Sequence, residues 1–189
     1  MSLPSSTSLL LSLTILFCCL ISFVCANRLI HQTCMDCSKN DPNISYKYCV
    51  TSFRSNHKSL YAKKLQELGL ISIKIIRHNV TDTNAHINEL LKKGNKSIDP
   101  FIKACLGDCL EVYSDTISTF RDAIRDYKAK RYADCNVKLS SIIDASTTCE
   151  DGFKQKNDAI SPLTKRNEDT FQLSAIALSI VNMLINTDK

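Results

Sequence analysis

Residues 100–153 read PFIKACLGDCLEVYSDTISTFRDAIRDYKAKRYADCNVKLSSIIDASTTCEDGF and contain two runs with helical periodicity, one on either side of Ala129. A short polar break at residues 128–130 separates them. Cys109 and Cys149 stand at mirror positions about Ala129, so an antiparallel hairpin brings their sulfur atoms together. Their positions alone predict a helical hairpin clamped by a Cys109–Cys149 disulfide.

Composition and apolar periodicity predict an all-α protein. Only four Gly and four Pro occur among 189 residues, and strand-like alternation is nearly absent. Asp99-Pro100 is a typical helix start, with Asp as N-cap and Pro at the first helical position. Amphipathic runs with short connections predict an up-down-up-down four-helix bundle in residues 60–186. The runs cover residues 60–93, 100–127, 131–148 and 164–186.

Residues 28–55 are cysteine-rich and broken at residues 41–42, which predicts a small helical hairpin packed on the bundle or projecting from it. Cys34, Cys37 and Cys49 compete for one disulfide there. We favour Cys34–Cys49, with Cys37–Cys49 as the alternative. The Cys34-x2-Cys37 spacing is weak evidence for zinc, because no second Cys or His pair stands at ligand spacing.

Cys105 and Cys135 lie on the apolar stripes of the two hairpin helices. At 1.5 Å per residue they are about 27 Å apart along the hairpin axis, which excludes a disulfide between them. We expect both to be buried free thiols that behave as small apolar side chains.

The first 26 residues are predicted to be a signal peptide. Residues 8–24 are strongly apolar, and Val24-Cys25-Ala26 favours cleavage after Ala26. A membrane anchor is the alternative, but the apolar run is short for a spanning helix and no basic cluster follows it directly. We therefore expect one mature domain over residues 27–189, secreted to the extracellular space or cell wall, with the vacuole as the alternative destination.

Two further features agree with the secretory route. Asn-x-Ser/Thr sequons at Asn43, Asn79 and Asn95 are candidate glycosylation sites. Three of the ten cysteines leave with the signal peptide, and the odd number that remains predicts disulfides and at least one unpaired thiol.

The sequence offers little for catalysis, cofactors or metals. The four histidines are scattered, and no Gly-rich phosphate loop or nucleophile elbow occurs. The net charge of +5 is spread along the chain without a basic tract interleaved with aromatic residues. We predict a monomer that is not an enzyme, uses no cofactor or metal, and binds neither nucleic acid nor membrane.

Several short motifs flank the cysteines. They are Thr33-Cys34, Asp41-Pro42-Asn43, Tyr48-Cys49, Asp108-Cys109-Leu110, Tyr113, Tyr132-Ala133 and Cys149-Glu150-Asp151-Gly152-Phe153. Together they resemble the plant invertase and pectin methylesterase inhibitor family over essentially the whole mature chain, and most of all its invertase-inhibitor subgroup that includes pollen allergens. The resemblance implies a four-helix bundle with an N-terminal helical hairpin and two disulfides. It also implies one-to-one blocking of a secreted carbohydrate-active enzyme, either acid β-fructofuranosidase (invertase) or pectin methylesterase.

The same resemblance directs attention to the turn after Ala129. In invertase inhibitors of this family a Pro-Lys-Phe segment at this turn enters the sucrose site. The corresponding residues here are Lys130, Arg131 and Tyr132, which the resemblance implies as the partner-binding site. The alternative is a solvated basic turn with Tyr132 packing at the head of its helix's apolar stripe. The missing proline predicts a less preorganised turn.

Three functions follow as hypotheses. The leading one is an inhibitor of acid invertase that probes the active site with Arg131 and Tyr132. The second is a pectin methylesterase inhibitor that covers the substrate cleft with a face of the bundle. The third, from another class, is a secreted helical protein without an enzyme target, acting structurally or as a small-ligand carrier.

Overall fold

The computed structural model describes residues 27–93 and 98–187, and every regular element within them is helical. The predicted signal peptide and the sequon residue Asn95 lie outside these segments. The helices are α1 (of which residues 27–40 are described), α2 (Tyr46–Ser55), a short 3₁₀ helix (His57–Tyr61), α3 (Leu65–Lys93), α4 (Pro100–Lys128), α5 (Tyr132–Phe153) and α6 (Thr164–Thr187). The all-α prediction is confirmed.

Helices α3 to α6 form a closed four-helix bundle. Helix α4 packs between α3 and α5, and α6 packs between α5 and α3. Because short connections join consecutive neighbours, the bundle runs up-down-up-down, as predicted. Its centre is filled by fully buried aliphatic and aromatic side chains, among them Ile76, Phe120, Leu139 and Ile180.

The start of α4 is set by the predicted cap. The Asp99 carboxylate accepts hydrogen bonds from the backbone N–H groups of Phe101 (2.8 Å) and Ile102 (3.3 Å). Pro100 occupies the first helical position, where its missing N–H costs nothing. These contacts fix where α4 begins and so where its apolar stripe faces.

Helix α3 begins at Leu65, five residues later than the predicted start at residue 60. The Asn56 side chain accepts a hydrogen bond from the Lys58 N–H (3.0 Å) and starts the 3₁₀ helix instead. Glu67 Oε2 accepts a hydrogen bond from the Lys63 N–H (2.6 Å) and so satisfies an amide just before α3. These local side-chain bonds compete with helix formation, which apolar periodicity alone does not reveal.

Helix α6 is long and apolar enough to cross a membrane by length and composition. In the described fold, 56% of that stretch is buried inside the bundle, including Ile176, Ala177 and Ile180. Its apolar character is explained by contact with α3 and α5 on one side and with the N-terminal hairpin on another.

Helices α1 and α2 form the predicted hairpin, which packs on α6 rather than projecting from the bundle. The Gln172 side chain bridges the two parts: its Nε2 donates to the Asn43 carbonyl (2.7 Å), and its Oε1 accepts from the Ser45 N–H (2.9 Å). Ile30 and Phe53 of the hairpin belong to the same buried core as the bundle. The hairpin therefore belongs to the same cooperative fold.

Disulfides join Cys34 to Cys49 and Cys109 to Cys149, with Cα–Cα distances of 5.7 and 4.9 Å. The first holds α1 against α2, and the second holds α4 against α5. Chain-entropy estimates give about 3 kcal/mol for the shorter loop and about 4 kcal/mol for the longer one. Both values are large beside the total stability of a domain.

Among the described residues, the remaining cysteines, Cys37, Cys105 and Cys135, are buried free thiols. The alternative Cys37–Cys49 bond is not formed. Burial raises the pKa of the Cys37 thiol to about 11 and that of Cys135 to about 12, and burial also raises the pKa of Cys105. All three therefore stay protonated and act as apolar packing groups.

Gly69 provides a sharp test of the packing between α3 and α4. A Cβ atom at Gly69 would lie 2.1 Å from Tyr127 Oη, which is held by its hydrogen bond to the Gln66 carbonyl (2.8 Å). Gly69→Ala should therefore lower the free energy of unfolding by about 2 kcal/mol, although alanine favours helices.

The matched control is Gly107→Ala on α4, where an added Cβ meets nothing within 4 Å. That variant should gain about 0.5–1 kcal/mol from helix propensity. Urea unfolding of both variants measures the difference. Equal effects of the two substitutions would contradict the described contact between Gly69 and Tyr127.

Candidate functional site at the α4–α5 turn

The connection between α4 and α5 is a tight turn closed by its own backbone. The N–H groups of Ala129 and Lys130 donate to the carbonyls of Arg125 and Tyr127 (both 3.0 Å), and the Arg131 N–H donates to the Asp126 carbonyl (2.9 Å). Lys130 has a φ of +58°, in the left-handed region that favours glycine. The turn is short, and its backbone donors are paired.

A buried carboxylate lies beneath this turn. Asp126 exposes 4% of its side chain; its Oδ2 accepts from Lys138 Nζ of α5 (2.6 Å), and its Oδ1 pairs with the Arg131 guanidinium. Arg131 Nε also lies 3.5 Å from Asp134 Oδ2. One carboxylate of α4 thus holds the turn and the first part of α5 together.

The same contacts decide the protonation of Asp126. The hydrogen bond from Lys138, and after it the one from Arg131, hold the pKa of Asp126 below its usual range, and the pKa of Lys138 is raised by the same pair. A depressed folded-state pKa adds stability that is fully present above the ordinary aspartate value. That contribution is lost only as the pH falls through the depressed pKa. The ion pair therefore remains intact at mildly acidic pH.

Tyr132 lies beneath the turn and not at its surface. It is 6% exposed, and its ring packs edge-on against Tyr127 with centroids 5.3 Å apart. This placement is the alternative in which Tyr132 heads the apolar stripe of its helix. The Tyr132 ring, which was predicted to probe a partner's active site, is therefore not accessible at the surface of the turn.

The surface of the turn is formed by Lys128, Ala129, Lys130 and Arg131, which are all exposed. Of the three predicted partner-binding residues, the structure thus brings Lys130 and Arg131 to the apex and withdraws Tyr132. Two ammonium groups and one guanidinium on a tight turn form a basic apex. A guanidinium in particular can bind a carboxylate through two parallel hydrogen bonds.

The Cys149-Glu150-Asp151-Gly152-Phe153 motif at the other end of the hairpin has a structural role. Glu150 Oε1 accepts from the Thr164 hydroxyl (2.7 Å), and its Oε2 accepts from Asn167 Nδ2 (2.7 Å) and the Ser161 hydroxyl (3.1 Å). Phe153 is 1% exposed in the core. Glu150 therefore fastens α5 to the start of α6 and to the loop before it.

This contact continues into a buried polar network that sequence reasoning did not identify. Tyr113 Oη donates to Asn167 Oδ1 (2.8 Å) and lies 3.1 Å from Thr170 Oγ1, and the Thr170 hydroxyl donates to Asn79 Oδ1 (2.7 Å). Burial raises the pKa of Tyr113 to about 12. The only available signal was a pair of polar residues, Asn167 and Thr170, on the inner face of an apolar helix.

The three sequons differ in environment. Asn43 is exposed in the turn between α1 and α2. Asn79 is half-buried in the middle of α3, where its amide oxygen belongs to the polar network. Asn95 lies outside the described residues.

A second surface feature runs along the bundle between α4 and α5. It is a shallow groove of about 350 Å³ whose lining includes Asp115, Thr119, Ser141 and Asp144. Its carboxylates and hydroxyls give this face a chemistry opposite to that of the basic turn. Within residues 27–93 and 98–187, no group of three or more His, Cys, Asp or Glu side chains is arranged to hold a metal ion.

Fold, disulfides and motifs together define a class of helical inhibitor proteins. The chain belongs to the plant invertase/pectin methylesterase inhibitor family, whose sequence model matches residues 28–180. The family and the two relatives described next are named as inhibitors.

Some relatives of this chain are named as invertase inhibitors and others as pectinesterase inhibitors. "Putative invertase inhibitor" from Platanus acerifolia is 39% identical over 165 residues, which is 87% of this chain and 90% of that protein. "Pectinesterase inhibitor 12" from Arabidopsis thaliana is 32% identical over 176 residues, which is 93% of this chain and 98% of that protein.

A solved structure shows the same fold. The crystal structure of a mutant form of a pectin methylesterase inhibitor from Arabidopsis matches with a TM-score of 0.64 at 21% identity, covering 73% of this chain and 89% of that one. At this identity the likeness establishes the fold and leaves the target enzyme open.

The left-handed backbone of the turn yields a stability prediction. Lys130→Gly should raise the free energy of unfolding by about 1 kcal/mol, because glycine adopts a positive φ without the Cβ clash. The control is Lys74→Gly at an exposed position inside α3, which should lower it by about 1 kcal/mol. Chemical denaturation of both variants measures the two changes, and a loss of stability in Lys130→Gly would contradict the described turn.

Proposed function

We propose that this chain is a secreted inhibitor of acid invertase that binds one-to-one as a monomer and inserts the α4–α5 turn into the active site. The observation that carries the proposal is the basic apex of Lys128, Lys130 and Arg131 on a turn whose backbone and side chains are internally bonded. The 39% identity to a protein named as an invertase inhibitor supports the same target.

The chemistry of the target explains why a basic apex suits it. Glycosidase active sites present a pair of carboxylates that flank the scissile bond. A guanidinium can bind one carboxylate bidentately, and a lysine at the apex can approach the second. Because Tyr132 is buried, the contact we propose is ionic and uses Lys130 and Arg131 without an aromatic sugar mimic.

Preorganisation strengthens such a contact. A flexible loop loses conformational freedom on binding, and that loss reduces affinity. Here the turn lacks proline, but three backbone hydrogen bonds and the Asp126 pairs restrict it. The expected penalty for the missing proline is therefore small.

A second candidate is inhibition of pectin methylesterase through a face of the bundle. It is favoured by the acidic, hydroxyl-rich groove between α4 and α5 and by the 32% identity to a protein named as a pectinesterase inhibitor. In that mode the basic turn would make no essential contact, so the two candidates predict different mutational effects.

We also infer that residues 1–26 are removed as a signal peptide and that residues 27–189 act as one extracellular domain. The apolar run of residues 8–24 and the two disulfides of the fold support this inference.

Titration of the protein in parallel against an acid invertase and a pectin methylesterase tests which enzyme is the target. The oxidised mature protein should abolish the activity of an acid invertase at one equivalent, and Lys130→Glu should weaken inhibition at least about tenfold because it places a carboxylate against carboxylates. Lys74→Glu, the same charge change at an exposed site of α3, should have no effect.

Two other outcomes of the titration would contradict the first candidate. Loss of pectin methylesterase activity alone, unchanged by Lys130→Glu, would replace the first candidate with the second. If neither enzyme responds, the inhibitor proposal fails for both, and a non-inhibitory helical protein or ligand carrier becomes the better description.

The sequon environments give a separate prediction. We infer that Asn43 carries a glycan and that Asn79 does not, because Asn43 is exposed in a turn whereas Asn79 is held in α3 by Thr170. The protein can be expressed in a eukaryotic secretory host and its peptides measured by mass spectrometry with and without endoglycosidase. The peptide that contains Asn43 should carry a glycan, and the peptide that contains Asn79 should not. Full occupancy of Asn79 in folded protein would overturn this assignment.

A further inference from the structure

We propose that Asp126 is the positioning residue of the inhibitory turn: its buried carboxylate holds the Arg131 guanidinium in the orientation that meets the target. This inference rests on the proposed function and adds a residue that itself makes no contact with the enzyme.

The first argument is the location of Asp126. It lies in the last turn of α4, beneath the apex, with 4% of its side chain exposed. Its two oxygens serve different partners, since Oδ1 pairs with Arg131 in the turn and Oδ2 with Lys138 on α5 (2.6 Å). The carboxylate therefore fixes the turn relative to both helices.

The second argument is that the same residue fixes the backbone of Arg131. The Asp126 carbonyl accepts the Arg131 N–H at 2.9 Å, while the Asp126 carboxylate pairs with the Arg131 side chain. With both ends anchored to one residue, the Arg131 side chain has few rotamers left.

The third argument concerns what Arg131 can still donate. Within the described residues its guanidinium contacts run through Nη2 to Asp126 and through Nε to Asp134 (3.5 Å), while 48% of the side chain is exposed. Guanidinium carries five N–H donors, so donors remain for an incoming carboxylate. The internal pairs thus orient the group without exhausting it.

The charges around Asp126 also support this role. Arg125 Nε lies 3.8 Å from Asp126 Oδ1, so three cationic side chains converge on this one buried carboxylate. Neutralising Asp126 would remove the anion that these cations share, and Arg131 would keep only its longer pair with Asp134 (3.5 Å). Ordering of Arg131 therefore depends on the charge of Asp126 and not only on its shape.

A double-mutant cycle on the inhibition constant for acid invertase tests the proposal. Arg131→Ala should weaken inhibition by about 30-fold, and Asp126→Asn by about tenfold, as expected for a charged interface contact and its support. If Asp126 acts through Arg131, then Asp126→Asn should weaken inhibition less than about twofold in the Arg131→Ala background. Asp108→Asn, the same isosteric change at an exposed residue of α4 distant from the turn, is the control and should change nothing.

Equal weakening by Asp126→Asn in both backgrounds would show a general structural role and overturn the proposal. No weakening in the wild-type background would overturn it as well. Circular dichroism and thermal unfolding of each variant establish that the compared proteins are folded.

A second measurement separates this inference from the proposed function. In ¹⁵N NMR spectra of the free protein, hindered rotation of the Arg131 guanidinium should be visible in wild type and lost in Asp126→Asn, but retained in Asp108→Asn. If wild type inhibits no invertase, the proposed function falls, and this spectrum still decides whether Asp126 orders Arg131. An equally mobile guanidinium in wild type and Asp126→Asn would overturn the positioning role.

Discussion

The disulfide between Cys109 and Cys149 fixes the register of α4 against α5, and both ends of the hairpin depend on that register. It spans 40 residues of sequence with Cα atoms 4.9 Å apart. At one end, Glu150 follows Cys149 directly and reaches α6 through Thr164 and Asn167. At the other end, the turn closes over a buried carboxylate on α4. A shift of one helical turn would separate these partners, so a single covalent constraint supports contacts at opposite ends of the bundle.

The two ends have different chemistry. Near the disulfide, hydroxyl and amide groups of Tyr113, Asn167 and Thr170 satisfy one another inside the core and specify how four helices meet. At the turn, by contrast, charged groups reach the surface, and the buried carboxylate that pairs with Arg131 and Lys138 is Asp126 of α4. A rigid frame with an exposed basic apex is what an inhibitor needs in order to present a small number of groups to a narrow active site. The turn lacks proline, and the carboxylate with its cations and three backbone hydrogen bonds restrict it instead.

Much of the fold could be predicted from sequence because its signals are local or periodic. The apolar stripes give the helices, Asp99-Pro100 gives the start of α4, and the mirror positions of Cys109 and Cys149 give the hairpin. Tertiary contacts were harder to predict. Tyr132 is the first residue of the apolar stripe that Cys135 and Leu139 continue, so the helical spacing predicts that it is buried, as it is. The family resemblance instead implied that Tyr132 is exposed for binding. The pairing of Asp126 with Lys138 links two helices through a charge whose partner no spacing rule identifies. The network around Tyr113 was missed because isolated polar residues in an apolar stripe carry no periodic signal.

We propose above all that the α4–α5 turn is the surface that meets the target. Amide hydrogen exchange of the wild-type protein, with and without an excess of acid invertase at mildly acidic pH, tests this most directly. If the turn is that surface, new protection should be confined to peptides around residues 125–134, with the outer face of the bundle unchanged. Protection along the groove at residues 112–119 and 141–148, with the turn unchanged, would contradict it and assign binding to the face of the bundle.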